Sequence, residues 1–104
     1  MIALLNTSIL TSFGSYSYES ISLDKAKELV ANGHRSHIGH ESTASVMSAL
    51  LDAYVAFDRT PYSQQVGDRA LVFKLNGRPP EGRILTREEI ESIGYTWGLL
   101  TRTA

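Results

Sequence analysis

Short apolar runs suited to strands alternate along this chain with segments of helical spacing, and that interleaving limits the folds open to it. Ile2 to Leu5 and Ala70 to Leu75 read as buried strands. Ser15 to Ile21 alternates and carries Tyr16 and Tyr18, so it reads as a further strand. Ser22 is placed to cap a short helix from Leu23 to Val30, with Ala26, Leu29 and Val30 on one face and Asn32-Gly33 as its stop. A second helix is expected from His40. Val46, Met47, Leu50, Ala53 and Tyr54 form its apolar stripe, and Ser45, Ser48 and Asp52 take the other side. Ser36 to Gly39 reads as a polar connector, Val55 to Arg59 as a strand and Thr60 to Asp68 as a loop. Gly77-Arg78-Pro79-Pro80-Glu81-Gly82 reads as a tight, rigid loop, since proline fixes φ and glycine permits the turns around it. Thr86-x-x-Glu89 is a capping box that opens a helix to Ile93; Gly94 stops it, and Tyr95 to Leu100 is the last strand. The order β β α α β β α β predicts an α/β (α+β) domain in which helices cover a mixed sheet.

A length of 104 residues suits a single domain, residues 1–104. A chain near 100 residues buries only roughly two-thirds of its unfolded surface, so a partner chain would help it. Without cysteine there is no disulfide scaffold, no thiolate nucleophile and no zinc site built on thiolates. No apolar run nears the roughly 18 residues of a membrane span. Met1 to Leu10 lacks the basic flank of a signal peptide, so the expected location is the cytoplasm, with no membrane partner. A net charge of −1 gives no broad basic field for duplex DNA, and no stable DNA partner is expected. Yet seven of the ten basic residues are arginine, whose planar fork suits phosphate. An anionic ligand would have to be held at a local site.

The most informative segment is Ser36-His37-Ile38-Gly39-His40-Glu41-Ser42-Thr43. A glycine precedes a helix whose first turn carries His, Glu, Ser and Thr. Such a turn has unpaired N–H groups and a partial positive charge, and phosphates bind there readily. His40 can deliver a proton to an oxygen of the bound group; Ser42 and Thr43 can donate hydrogen bonds. Glu41 suits the helix dipole and needs no other role. A plain capped helix with an exposed histidine has the same spacing. A metal trio of His34, His37 and His40 is disfavoured, because Gly33 and Gly39 interrupt any helix that would align them, and no metal or other cofactor is expected. Arg78 and Glu81 on a stiff loop can hold a polar ligand, or can form a surface ion pair. Arg59 is a second possible phosphate contact. Asn6-Thr7-Ser8 ends the first strand, where ligands often bind in α/β sheets, although turn chemistry alone also accounts for it.

Four stretches together make the pattern specific: Leu4-Leu5-Asn6-Thr7-Ser8; Ile38-Gly39-His40-Glu41-Ser42-Thr43; Arg59 beyond the second helix; and Gly77-Arg78-Pro79-Pro80-Glu81-Gly82-Arg83-Ile84-Leu85-Thr86. With these, the sequence resembles the small viral and mobile-element family that includes the type III anti-CRISPR ring nucleases, known from archaeal viruses with relatives in bacteria and phages. The resemblance implies a homodimer with a mixed, five-stranded sheet flanked by helices. Ring-nuclease members bind cyclic tetra-adenylate across the dimer two-fold and cut it to linear di-adenylate without metal, which silences type III CRISPR signalling in the host cytoplasm. The family's essential histidine falls on His40, its phosphate-contacting arginine on Arg78 and its assisting glutamate on Glu81. The family's further contacts fall on Ser42 and Arg59, and its first-loop match spans Asn6 to Ile9, where archaeal viral members carry their serine one position later than Ser8. Gly39 and Thr43 at the helix start, with Asn6 and Ser8 at the strand end, complete the expected substrate-binding set. Two other readings stay open: a sponge that binds a cyclic nucleotide without cutting it, and a nucleic-acid-binding viral regulator.

Overall fold

The computed structural model describes residues 1–77 and 85–104. Arg78 and Glu81, with the rest of the proline-containing loop up to Ile84, lie outside the described residues. The elements are β1 (Ile2–Leu5), β2 (Tyr16–Ile21), α1 (Leu23–Ala31), β3 (His34–Ser36), α2 (Glu41–Leu51), β4 (Arg69–Leu75), α3 (Arg87–Ile93) and β5 (Tyr95–Arg102). The strands form one five-stranded mixed sheet in the order β2-β5-β4-β1-β3. β1 pairs in parallel with β3 on one side and with β4 on the other. β5 pairs antiparallel with both β4 and β2, so it alone runs against the rest.

The central strands are apolar on both faces because both faces are covered. On one, Ile2, Leu4, Leu71, Phe73 and Trp97 pack against Ala26, Leu29 and Val30 of α1, Met47 and Leu50 of α2 and Ile90 of α3. On the other, Ala3, Leu5, Ala70, Val72 and Leu100 pack with Tyr16 and Tyr62. Two loops are tied over this second face. Gln64 is fully buried there and its Nε2 donates to the carbonyls of Asp68 and Leu100, at 2.9 and 3.1 Å. The Arg102 guanidinium donates to the Ser12 hydroxyl and to the Gln64 and Phe13 carbonyls at 2.8–3.0 Å. At Gly98 on β5 a Cβ would run into the Tyr18 ring, so glycine lets that ring lie across the strand.

The expected caps are present. The Ser22 hydroxyl accepts from the Lys25 N–H, and Thr86 and Glu89 form the full reciprocal box. Three expectations need correction. Ser36 does not begin a connector; it closes β3, a short polar edge strand that pairs, among the described residues, with β1 alone, so strand pairing extends into residues with no apolar signal. Val55 to Arg59 is not a strand. It touches the sheet region through one parallel bridge, Ile38 to Phe57, because serine side chains take up its backbone groups. The Val55 N–H donates to the Ser48 hydroxyl at 2.8 Å, and the Ser36 hydroxyl donates to the Ala56 carbonyl at 2.6 Å. Finally, Tyr54 leaves the apolar stripe and is 80% exposed. The helix stops at Leu51 with Asp52 in a left-handed conformation (φ 52°), and the helical periodicity ends with it. The true order is therefore β β α β α β α β.

Two predictions follow from these contacts. Ser36→Ala leaves the Ala56 carbonyl and the Ile38 N–H, which donates to the same hydroxyl, without that partner. It should cost about 1–3 kcal/mol, read from the urea unfolding midpoint. The Tyr62 hydroxyl is buried without a hydrogen-bond partner among the described residues. Burial, then the charge of Asp68, then Tyr16, push its pKa from 10.0 up to about 12. Between those values the unfolded chain has released the proton while the folded one keeps it, so stability falls as pH rises through that window. Thermal melts from pH 9 to 12 should show a shallower alkaline loss for Tyr62→Phe than for the wild type, with no penalty at pH 7.

Candidate functional site

The parallel pairing of β1 with β3 and β4 brings their carboxyl ends to one edge of the sheet. Ligands of open α/β sheets collect at such an edge. Asn6 and Thr7 leave β1 there, and His37 leaves β3, its N–H donating to the Leu4 carbonyl at 3.0 Å. The Ile38–Phe57 bridge and a bond from the Asp58 N–H to the Ile38 carbonyl, 2.9 Å, then hold residues 57–59 beside Gly39. Between these segments lies an open cleft of about 450 Å³, lined by Asn6, Thr7, His37, Gly39, His40, Arg59 and Tyr62 among others.

His40 is the N-cap of α2 but makes no side-chain capping bond; it is exposed, and its imidazole has no hydrogen-bond partner among the described residues. The first helical bond runs from the Ala44 N–H to the His40 carbonyl. The N–H groups of Glu41, Ser42 and Thr43 therefore have no intrahelical acceptor and carry the positive end of the helix dipole. The Arg59 Nε donates to the Gly39 carbonyl at 3.3 Å and its guanidinium lies over the Phe57 ring at 5.5 Å. That pins the stem and leaves the outer nitrogens of the fork without a carboxylate among the described residues. Beside it, Asp58 accepts from the Thr60 hydroxyl and N–H, and these two bonds, in that order, hold its pKa below 3.8. It is a turn-forming carboxylate rather than a proton donor.

Of the candidate contacts singled out in the sequence, Asn6, Thr7, Gly39, His40 and Arg59 meet at this cleft. Ser42 and Thr43 stand half-buried on the first turn of α2 and do not line it, though their backbone amides belong to the same helix end. Ser8 lies outside the lining; its hydroxyl accepts from the Lys74 ammonium at 2.9 Å. Tyr62 and Thr60 are additions that sequence reasoning missed. Both sit on a loop with no local signal, and only the strap formed by residues 55–60 delivers them. His37 is also an addition to the cleft, since the sequence suggested for it only a place in a histidine trio. Its Nδ1 lies 2.8 Å from the Thr60 carbonyl and its ring packs on Tyr62 with centroids 5.0 Å apart. His34 points elsewhere, its two nitrogens set against the carbonyls of Val30 (3.4 Å) and Tyr54 (3.0 Å). Among the described residues no cluster of three or more His, Asp or Glu is arranged to hold a metal ion.

The architecture and the sequence both have counterparts. B116 of Sulfolobus turreted icosahedral virus has the same fold, with a TM-score of 0.83 over 97% of this chain and 98% of that one, at 19% identity. Protein YddF of Bacillus subtilis (strain 168) is 36% identical, covering 97% of this chain and 96% of the relative. Protein ORF117 of Acidianus two-tailed virus is 32% identical, covering 91% and 87%. The family model described as STIV B116-like matches residues 2–97, and on these grounds the chain belongs to the STIV B116-like family.

Proposed function

We propose that this protein is a metal-independent ring nuclease that binds cyclic tetra-adenylate and cleaves it to linear di-adenylate, lowering the signal that drives type III CRISPR defence. The observation that carries the reading is the meeting of an exposed His40 imidazole, the amino end of α2 and the Arg59 fork at one open cleft. RNA carries its own nucleophile. A ribose 2′-oxygen attacks the adjacent phosphorus, the bond to the 5′-oxygen breaks, and that oxygen needs a proton. His40 as imidazolium supplies it, an effect typically worth about 10²–10⁴-fold. Arg59 and the α2 amides hold the phosphate and its developing charge. The sequence resemblance adds Arg78 as a further phosphate contact and Glu81 as an assisting carboxylate.

A ring with two-fold symmetry calls for two copies of the site, and the reading includes a homodimer. Ile9 lines the cleft and is 40% exposed, and Leu10 next to it is 64% exposed, so the cleft rim continues into apolar surface that a second chain would cover. Two chains would also double the arginines available to four phosphates, which reconciles an anionic ligand with a net charge of −1.

The test is single-turnover cleavage of cyclic tetra-adenylate in EDTA. The wild type should yield linear di-adenylate, and His40→Ala should lose about 10²–10⁴-fold in rate while binding the ring as tightly. Tight binding without cleavage by the wild type would instead identify a sponge, and steeply salt-dependent binding to duplex DNA a nucleic-acid-binding regulator. Sedimentation should find a dimer at micromolar concentration; a single-chain species there would contradict the shared site.

A further inference from the structure

A proton must also leave the attacking 2′-OH, and the resemblance assigns no residue to take it. We infer that His37 is the general base, working with His40 as an acid–base pair; this rests on the ring-nuclease reading above. Both histidines line the cleft, separated by Ile38, whose side chain is fully buried, and Gly39. The orientation of His37 is set by its surroundings. Its Nδ1 lies 2.8 Å from the Thr60 carbonyl, an oxygen that can only accept. Nδ1 must therefore carry the hydrogen. In the neutral ring the lone pair is then on Nε2, which has no partner among the described residues. A ring locked by a carbonyl on one nitrogen, with the other left open as an acceptor, is the tautomer a general base requires. Packing against Tyr62 at 5.0 Å limits the ring's tilt.

The step balances. His37 Nε2 accepts the 2′-hydroxyl proton, the 2′-oxygen bonds to phosphorus, the bond from phosphorus to the 5′-oxygen breaks, and His40 donates its proton to that oxygen. The product end is a 2′,3′-cyclic phosphate, and exchange with water restores both rings. Among the described residues, the charged and titratable groups around His37 are Arg35, two residues before it, Asp58, on which both act, Tyr62 against its ring, and Arg59 and His40, which line the same cleft. Asp58 remains a carboxylate through the range in which a histidine pair works, because its pKa is held below its ordinary value.

The distinguishing variant is His37→Asn. Its side-chain amide can still donate to the Thr60 carbonyl, but it has no acceptor where Nε2 stood. Single-turnover rates at saturating cyclic tetra-adenylate in EDTA would be measured from pH 5 to 9, beside ring affinity and a thermal melt. The wild-type rate should be bell-shaped in pH, since one histidine must be neutral and the other charged. His37→Asn should cut the rate by about 10²-fold or more, remove the acidic limb and leave the alkaline limb, with affinity and melting temperature nearly unchanged. His37→Gln guards against misfolding of the first variant and should show the same loss. A wild-type rate and an intact acidic limb in either folded variant would overturn the assignment. So would a rate loss that follows lost affinity, which would make His37 a binding residue. A wild type that does not cleave would fail the ring-nuclease reading itself, separately from these outcomes.

Discussion

Strand β1 is four residues long, buried throughout and hydrogen-bonded on both sides. The rest of the molecule depends on that placement. Ile2 and Leu4 anchor the face that receives the helices, while Ala3 and Leu5 anchor the face that receives the loops. Because both of its neighbours are parallel to it, three chain segments leave the sheet at one edge. Antiparallel pairing would have sent the loop after β1 and the loop after β3 to opposite ends, and Asn6 could not then share a cleft with His37 and His40.

The second constraint is the strap of residues 55–60. It is neither strand nor helix, and its backbone groups are satisfied mainly by serine hydroxyls and one bridge. Ser36 ties Ala56 to the end of β3, and Ser48 ties Val55 to α2. Buried backbone groups must find partners, and here side chains supply them where a ladder does not. The result sets Arg59 beside Gly39 and the Thr60 carbonyl beside His37. One short segment thus supplies both the cation at the cleft and the acceptor that orients the histidine. The electrostatics are accordingly local: a nearly neutral chain sets a guanidinium that meets no carboxylate among the described residues beside a helix amino end.

Much of this is legible in the sequence because it is local. Capping chemistry needs only a few consecutive residues, which is why Ser22 and the Thr86–Glu89 box are found where expected. The His40 turn is readable for the same reason: a glycine followed by His, Glu, Ser and Thr marks a helix start. The strands β1 and β4 are readable because burial on both faces leaves an unbroken apolar run. The stripe on α2 overreaches at Ala53 and Tyr54, since hydrophobic spacing does not register the left-handed turn at Asp52 that ends the helix.

What depends on the sheet is decided only by tertiary contacts. β3 is His-Arg-Ser and has no strand signal; it pairs because β1 offers an open edge. Val55 to Phe57 has a strand-like composition and does not extend the sheet, because distant serines claim its hydrogen bonds. The roles of His37 and Tyr62 arise the same way, from a carbonyl and a ring brought to one place by residues 20 or more positions away. Residue chemistry and local spacing thus determine the capped helices and the buried strands and name His40. Long-range hydrogen bonding selects which of those residues face a common cleft, because the partner of a backbone group is chosen in space and not along the chain.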